Sequence, residues 1–292
     1  ASKRIGIPGE EEGLEGLSYG LAFLTDVRMG KETTLKGKTL VVGGGNVAID
    51  VARTALRKGT EGVQVFCLES REEMPAWDKE IEEALDEGIA INTSWGPTRI
   101  IRNQGCVTGV EFVRCVSVFD EEGRFNPSFD ETTTQVVEAD NVLISIGQAP
   151  DPSFLSEDGQ LERALWGTLA VEENTLSTNI KGIFAGGDFT TGPTYLIRAI
   201  ASGRRAALAI DKYIQGDTGR IEILDEKTEM AEDTGLALEE ETTEEKPRVE
   251  IELESPQDRI KDFREIEKGF SVEQALREAT RCLRCDLEKD RR

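Results

Sequence analysis

Three consecutive glycines, starting at Gly43, lie between an apolar β-branched run and a segment in which apolar residues recur at helical spacing. As a G-x-G-x-x-A motif, Gly43 permits a sharp turn, Gly45 permits close approach of a pyrophosphate, and Ala48 keeps the helix near the strand. The amides at the helix start, those of Asn46 and Val47, are then free to bind phosphates. The motif predicts a dinucleotide site. The alternative is a tight strand-helix turn without a ligand.

A second apolar run, residues 63–68, ends in Glu69. An acidic residue about 20 positions beyond the glycines is where such folds bind a ribose 2′-hydroxyl. The motif therefore has the strand, helix and second strand that a lone glycine pattern lacks. Glu69 is predicted to bind the adenosine ribose.

The composition excludes several kinds of chemistry, because the chain contains no histidine. Serine triads with a histidine base, zinc-histidine sites and histidine acid-base catalysis are ruled out. Hydride transfer between a nicotinamide and a flavin remains open, since the cofactors carry that chemistry and the protein supplies position and electrostatics.

The 292 residues, 38% hydrophobic and 32% charged, indicate a soluble protein of about two domains. No apolar run approaches the roughly 18 residues of a membrane helix, so membrane insertion is not expected. A net charge of -22 argues against binding to nucleic acid. The five cysteines show no disulfide framework, and a cytoplasmic location is expected.

The glycine turn belongs to a predicted βαβ succession. Strands are expected at 38–42, 63–68 and 89–92, with helices at 46–58 and 78–87 between them. Strands that alternate with helices imply a parallel sheet. Upstream, residues from 17 to 27 have helical spacing and are expected to pack on this domain.

From residue 98 to 138 the pattern changes to alternating strands, which predicts an antiparallel meander added to the sheet. Three cysteines, Cys67, Cys106 and Cys115, fall in strand patterns and are expected to be small buried apolar residues. A buried strand is predicted at 141–147, where the chain is expected to cross into another domain.

The next predicted unit contains a strand, residues 178–188, that ends in Gly-Gly-Asp, and a helix from 194 to 213 rich in small residues. Residues 221–256 then hold 14 acidic and 3 basic residues, which predicts a solvated linker, with or without a binding role. Ser271 is predicted to cap the helix that carries Cys282 and Cys285.

These motifs together resemble the flavoprotein family of the glutamate synthase small subunit and its relatives, including flavoprotein subunits of NADH-linked electron-bifurcating complexes. The matching segments are Ile7-Pro8-Gly9-Glu10, Gly43 to Asp50, Met74-Pro75-Ala76, Ile146-Gly147-Gln148, Gly182 to Asp188 and Ala199 to Arg204. In that family a nicotinamide-binding domain is inserted into a split FAD-binding domain. The resemblance implies an α/β fold of the two-dinucleotide-binding-domain flavoprotein class, with a Rossmann-type nicotinamide domain and a partial FAD domain.

The resemblance also implies a division of the chain. The expected parts are a connector and helix from the FAD domain (1–35), the NAD(H)-binding domain (36–140), the C-terminal half of the FAD domain (141–216), the acidic linker (217–257) and a helical extension with a CxxC motif (258–292). The family's first FAD half is missing from this sequence, so a partner chain is expected to supply it unless the sequence is a fragment.

The resemblance assigns residues to the two cofactors, NAD(H) and FAD. Asp188 is implied to hydrogen-bond the FAD ribityl chain, and the helix beginning near Thr194 to direct its positive end at the flavin. Gly147 and Gly187 belong to the matching FAD-side motifs. NADPH-using relatives carry an arginine pair where this chain has Leu68 and Glu69, which favours NADH, although Arg71 lies nearby and partly offsets the negative charge.

Cys282 and Cys285 resemble the start of the family's iron-sulfur region. Two cysteines cannot complete a [4Fe-4S] cluster, so they form either half of a cluster completed elsewhere or an ordinary pair on a helix.

Three functions stay open. The first is an NADH-dependent flavoprotein segment that passes electrons to an iron-sulfur subunit. The second is an NADPH-dependent glutamate synthase small subunit, and the third is a non-catalytic assembly module with a nicotinamide fold.

Overall fold

The computed structural model describes residues 2–11, 13–33, 35–151, 161–164, 167–216 and 247–281. They divide into two compact units. The larger unit comprises residues 4–146 and 247–281, and the smaller unit comprises residues 2–3 and 147–216. Among the described residues, no helix combines the length and apolar character needed to cross a membrane.

The larger unit contains two sheets and five helices among its described residues. In chain order the elements are β1 (Leu17–Tyr19), α1 (Gly20–Arg28), β2 (Lys38–Val42), α2 (Asn46–Arg57), β3 (Gly62–Phe66), α3 (Asp78–Asp86), β4 (Ala90–Asn92), β5 (Trp95–Asn103), β6 (Cys106–Phe119), β7 (Phe125–Glu138) and β8 (Asn141–Ile144). The helices α6 (Pro256–Arg259) and α7 (Val272–Ala279) follow later in the chain.

The predicted parallel sheet is present, with strand order β1-β8-β2-β3-β4. Its strands pair in parallel, for example Val41 of β2 with Val65 of β3 and with Leu143 of β8. The boundary predicted at residue 141 is therefore wrong, because β8 lies between β1 and β2 and all four of its residues are buried. The three-residue strand β1, which pairs with β8, was not predicted.

The predicted meander forms its own antiparallel sheet, β5-β6-β7, rather than an addition to the parallel sheet. One face of the parallel sheet packs against it, and the rings of Phe66 and Phe112 stack there with centroids 4.2 Å apart. The other face packs against helices through buried residues such as Phe23 of α1 and Ile49 of α2. Residues 20–27 thus pack on the parallel sheet as a helix, as predicted, whereas residues 17–19, expected to continue that helix, form the strand β1.

The segment from 247 to 257 is part of the larger unit, which corrects the linker predicted there. Val249 is buried and its amide donates to Glu278 Oε2 over 2.8 Å. Apolar and acidic residues alternate from Val249 to Leu253, so one side of the segment packs although its net charge is negative. The rest of the predicted linker, residues 217–246, lies outside the described residues.

The helix predicted from Ser271 is present, and Ser271 and Gln274 form a reciprocal capping box. This helix, α7, ends at Ala279, before the cysteines that the prediction placed on it. Cys67 and Cys115 are buried as predicted, whereas Cys106 is only half-buried, with its thiol 3.4 Å from Glu15 Oε2.

The smaller unit contains α4 (Asp188–Thr191) and α5 (Leu196–Gln215). The strand predicted at 178–188 is wrong, since this segment forms only an isolated bridge between Ser177 and Phe184. A strand needs a neighbour along its length, and the described residues of this unit supply single bridges only. The predicted helix is present but begins at Leu196 rather than Thr194.

Candidate dinucleotide-binding site

The glycine turn joins β2 to α2 as the motif predicts. Gly43 has a φ of +140°, and its amide donates to Phe66 O on β3 over 2.8 Å. A Cβ atom at this position would lie 2.4 Å from the carbonyl oxygen of Ser145. Both the backbone angle and the close approach therefore require glycine at the turn.

The N-terminus of α2 has no side-chain cap and has open space at Gly45. Gly45 is its N-cap residue and offers no side chain to cap the helix. A Cβ at Gly45 would meet only Pro75 Cγ, at 4.0 Å, while Ala48 is fully buried against the sheet. The first amides of a helix lack intrahelical partners, so this end offers donors and positive potential to a phosphate.

Asn46 and Val47 contribute differently from one another. Asn46 Oδ1 accepts a hydrogen bond from the Trp77 amide over 2.8 Å, so its side chain holds the loop before α3. Val47 has an exposed side chain, and only its amide is suited to a phosphate. Asn46 and Val47 would therefore bind a cofactor through their backbone amides and not through their side chains.

The Met-Pro-Ala segment packs on the glycine turn. The Ala76 amide donates to Gly44 O over 3.2 Å, and Met74 and Ala76 are buried in the helix-side core. In the sequence analysis this segment was only one of the segments that resemble the family, and no structural role was predicted for it. The sequence feature that could have revealed its role is the pair of apolar residues on either side of Pro75. Their burial anchors this loop beside Gly45.

Glu69 lies beside the turn, and β3 ends at Phe66, before the predicted end of the strand at residue 68. A Cβ atom added at Gly44 would lie 2.7 Å from Glu69 Oε2, which places the carboxylate against that glycine. Burial, followed by the nearby charge of Glu69, raises the pKa of the Cys67 thiol to about 12, so this thiol stays protonated at neutral pH. The carboxylate thus sits beside neutral groups and the positive end of a helix.

Arg71 lies two residues beyond Glu69 and pairs with another group. Its guanidinium contacts Asp78 Oδ1 at 2.9 Å, at the start of α3, and both side chains are solvent-accessible. An exposed ion pair of this kind is worth at most about 1 kcal/mol, so Arg71 can exchange it for another anion.

In the smaller unit the Gly-Gly-Asp segment packs closely on α5. A Cβ at Gly186 would lie 2.4 Å from Ser202 Oγ, and the Gly187 amide donates to that oxygen over 2.9 Å. Gly187 has φ 65° and ψ -152°, a region that only glycine enters readily. Ser202, which the sequence analysis missed as a functional residue, therefore fixes the loop that presents Asp188.

Asp188 and Thr194 are brought together by this loop. Asp188 Oδ1 accepts from the Thr194 amide at 3.2 Å and lies 3.4 Å from its hydroxyl. Thr194 precedes the 20-residue helix α5, whose N-cap residue Tyr195 makes no side-chain cap. Gly147, also in this unit, has φ +103° and accepts from the Lys3 amide over 3.1 Å.

Cys282 and Cys285 lie outside the described residues. Among those that are described, no group of three or more His, Cys, Asp or Glu side chains could hold a metal ion. The iron-sulfur prediction therefore stays a prediction.

Residues 1–203 match the family model for "Pyridine nucleotide-disulphide oxidoreductase". The chain is 39% identical over 290 residues to the "NADP(+)-dependent formate dehydrogenase subunit beta" of Moorella thermoacetica, covering 98% of this chain and 41% of that protein. It is 36% identical over 181 residues to the NADPH glutamate synthase small chain of Azospirillum brasilense, covering 61% of this chain and 37% of that one. The chain thus spans less than half the length of these curated relatives.

A crystal structure of T. acidophilum thioredoxin reductase is similar to this fold, with a TM-score of 0.57 at 22% identity, over 74% of this chain and 63% of that one. This likeness in fold, together with the family match over residues 1–203, confirms the predicted α/β fold class. The match over residues 1–203 and the glycine turn with its open helix end agree, and the chain belongs to the pyridine nucleotide-disulphide oxidoreductase family.

Proposed function

We propose that this chain forms the nicotinamide-binding part, and a portion of the FAD-binding part, of an NADH-dependent flavoprotein oxidoreductase. In this function electrons pass between NAD(H), FAD and an iron-sulfur partner subunit. The observation that carries the proposal is the Glu69 carboxylate lying against Gly44, beside an uncapped helix N-terminus. That arrangement offers donors for a pyrophosphate and an acceptor for a ribose hydroxyl at one turn.

The bound cofactors supply the hydride chemistry, and the chain's residues bind and orient them. Gly43 and Gly45 leave room for the pyrophosphate, and the amides of Asn46 and Val47 donate to it. Glu69 accepts from the adenosine ribose.

On the FAD side, Gly147 and Gly187 shape the backbone next to the flavin site. Asp188 holds the loop before α5 through Thr194, and its carboxylate would accept from the ribityl chain of a bound FAD. The positive end of α5 then favours the negative charge that reduction places on a flavin.

NADPH is the competing nucleotide. The printed names of the relatives from M. thermoacetica and A. brasilense specify NADP(+) and NADPH. Arg71, two residues beyond Glu69, has an exposed ion pair with Asp78 and is the cation we propose would bind a 2′-phosphate. Glu69 opposes that binding, because a carboxylate repels a phosphate and accepts from a hydroxyl.

Calorimetric titration of the unmodified chain with NADH and with NADPH distinguishes the NADH-dependent function from the NADPH-dependent one. We expect NADH to bind about tenfold tighter or more, the value of one charge-assisted hydrogen bond. Equal or tighter NADPH binding would favour the NADPH-dependent function instead.

The iron-sulfur partner is the least direct part of the proposal. It rests on the resemblance around Cys282 and Cys285 and on the names of relatives that are subunits of larger enzymes. In an anaerobically isolated complex, replacing both cysteines with serine should lower the iron content. Unchanged iron would leave the pair as ordinary cysteines.

A further inference from the structure

Gly44, the middle glycine of the turn, needs to be glycine for a reason different from that of its neighbours. It is buried, and its φ lies outside the left-handed region, so its backbone angle does not demand glycine. Its constraint is space. An added Cβ would lie 2.7 Å from Oε2 of Glu69, 3.2 Å from its Cδ and 3.0 Å from the Cβ of Cys67.

The backbone that carries Glu69 is fixed on both sides. The Ser94 amide donates to Glu69 O over 2.8 Å. The Trp95 amide donates to Cys67 O over 2.8 Å, and the Cys67 amide donates to Asn92 O over 3.1 Å. A side chain at position 44 would therefore displace the Glu69 carboxylate by rotating its side chain, since the backbone is held by these hydrogen bonds.

We propose that Gly44 is a positioning residue for Glu69. Because glycine has no side chain, it leaves room for the Glu69 carboxylate beside the turn, and the carboxylate in that position favours a nucleotide with a free 2′-hydroxyl. The inference rests on the proposed role of Glu69 at the adenosine ribose. Cys67 supports this proposal because it lies next to both Gly44 and Glu69. Its protonated thiol adds no negative charge there, and its Cβ closes the space beside Gly44.

The test compares Gly44→Ala in the unmodified chain and in a Glu69→Ala background, with Kd for NADH and NADPH measured by calorimetry. In the unmodified chain, displacement of the carboxylate should reduce the NADH over NADPH preference about tenfold, the loss of one charge-assisted hydrogen bond. In the Glu69→Ala background the ratio should not change, because no carboxylate remains to be displaced. An equal loss for both nucleotides in the unmodified chain, or the same ratio change in both backgrounds, overturns the proposal.

Gly45→Ala is the matched control. Its Cβ would approach only Pro75 Cγ, at 4.0 Å, and would fill space assigned to the pyrophosphate that both nucleotides share. It should weaken NADH and NADPH by the same factor.

Because Cys67 is also close, Gly44→Ala can fail to fold, and Glu69→Asp then tests the relation from the other side. The shorter side chain withdraws the carboxylate from Gly44 and should produce the same loss of NADH preference. An unchanged preference contradicts the proposal.

A crystal structure of the Gly44→Ala chain tests the positioning separately from nucleotide binding. The Glu69 carboxylate should have left the turn, and an undisturbed carboxylate overturns the proposal. If Glu69→Ala alone leaves the NADH to NADPH ratio unchanged, the proposed ribose role fails, and this structure still decides whether Gly44 positions the carboxylate.

Discussion

In the proposed function, the choice between NADH and NADPH depends on the charge at position 69. The Glu69 carboxylate lies against the glycine turn, where it can accept from a ribose hydroxyl and repel a 2′-phosphate. Replacing it with arginine removes the acceptor and adds a phosphate-binding guanidinium. We expect Glu69→Arg to lower NADH affinity relative to NADPH by about ten- to a hundredfold, or roughly 1.5 to 3 kcal/mol. Calorimetric Kd values for both nucleotides measure this change.

The matched control is Glu72→Arg, which makes the same change of charge three residues away on an exposed side chain. It should leave the NADH to NADPH ratio within about twofold, since exposed charges are screened. If both variants shift the ratio equally, the effect comes from general charge and not from contact with the ribose.

The positions of residues at the candidate site were predictable where they follow from a local sequence pattern. Gly43 was identified because a strand, a sharp turn and a helix are visible in the sequence, and Glu69 because it follows the second apolar run. Gly44 was not, since its constraint comes from a side chain 25 residues later and only the folded turn shows that contact. The Asn46 side chain likewise bonds the Trp77 amide, 31 positions away.

At the scale of elements, the hydrophobic pattern predicted the βαβ core well, but it missed β1 and assigned β8 to the wrong domain. The strands β2 and β3 and the helix α2 are long enough to show their period. The four-residue β8 shows no period, and its burial is consistent with either domain. Only its pairing with β2 places it in the larger unit. The segment after residue 247 was predicted to be a linker because its composition is acidic. That prediction overlooked the alternation of apolar and acidic residues from Val249 to Leu253.

Three helices of the larger unit, α2, α3 and α6, meet at one buried carboxylate, that of Glu87. The Glu87 side chain has no exposed surface and accepts from Arg57 at 2.8 and 2.9 Å and from Arg53 at 2.8 Å. Arg259 of α6 lies 3.9 Å from the same carboxylate, and its Nε and Nη1 have no hydrogen-bond partner among the described residues. Glu87 thus links α2, α3 and the segment that carries α6.

Removing the Glu87 charge should destabilise the larger unit, because three guanidinium groups lose a shared partner. We expect Glu87→Gln to cost about 3 kcal/mol at pH 7, measured by urea unfolding. Burial alone raises the pKa of Glu87, but the hydrogen bonds from Arg57 and Arg53 outweigh it and hold that pKa below the ordinary value of 4.5. A lowered pKa means that this stability is present above pH 4.5 and is lost as the pH falls through the folded-state pKa.

Unfolding free energy measured from pH 6 down to about pH 3 should therefore fall less steeply for Glu87→Gln than for the unmodified chain. Glu82→Gln, the same change on the exposed side of α3, should leave both the stability and its pH slope unaltered. Parallel pH profiles for Glu87→Gln and the unmodified chain would contradict the role of Glu87.

At the scale of the whole molecule, the two units differ in how much apolar surface they bury. The larger unit has two clusters of buried residues, one on each face of its parallel sheet. In the smaller unit α5 leaves large apolar side chains exposed, among them Leu196 at 77% and Ile214 at 75%. Hydrophobic burial dominates folding free energy, so the larger unit has more to stabilise it than the smaller one.

This difference leads to a prediction about the cofactors. The proposed nicotinamide site lies within the larger unit, where its turn and helix are fixed by buried contacts. The FAD-side residues lie in the smaller unit, and the family's glycine-rich turn for the FAD pyrophosphate is not among the 292 residues. Each absent charge-assisted hydrogen bond to that pyrophosphate is worth roughly 1.5 to 3 kcal/mol. We therefore expect the 292-residue chain to bind NADH with ordinary affinity and to retain FAD poorly.

An absorbance spectrum after gel filtration with added FAD, together with NADH calorimetry, measures both halves of this prediction. Little flavin absorbance should remain, and adding a polypeptide with the family's first FAD half should restore it. In the restored complex, Asp188→Ala should weaken FAD retention and leave NADH binding intact, because Asp188 holds the loop before α5 and lies outside the larger unit. Asp211→Ala, at the other end of α5, is the control and should affect neither. Stoichiometric FAD on the unmodified chain alone would show that the residues around Asp188 and Thr194 bind the flavin without a second set of phosphate donors.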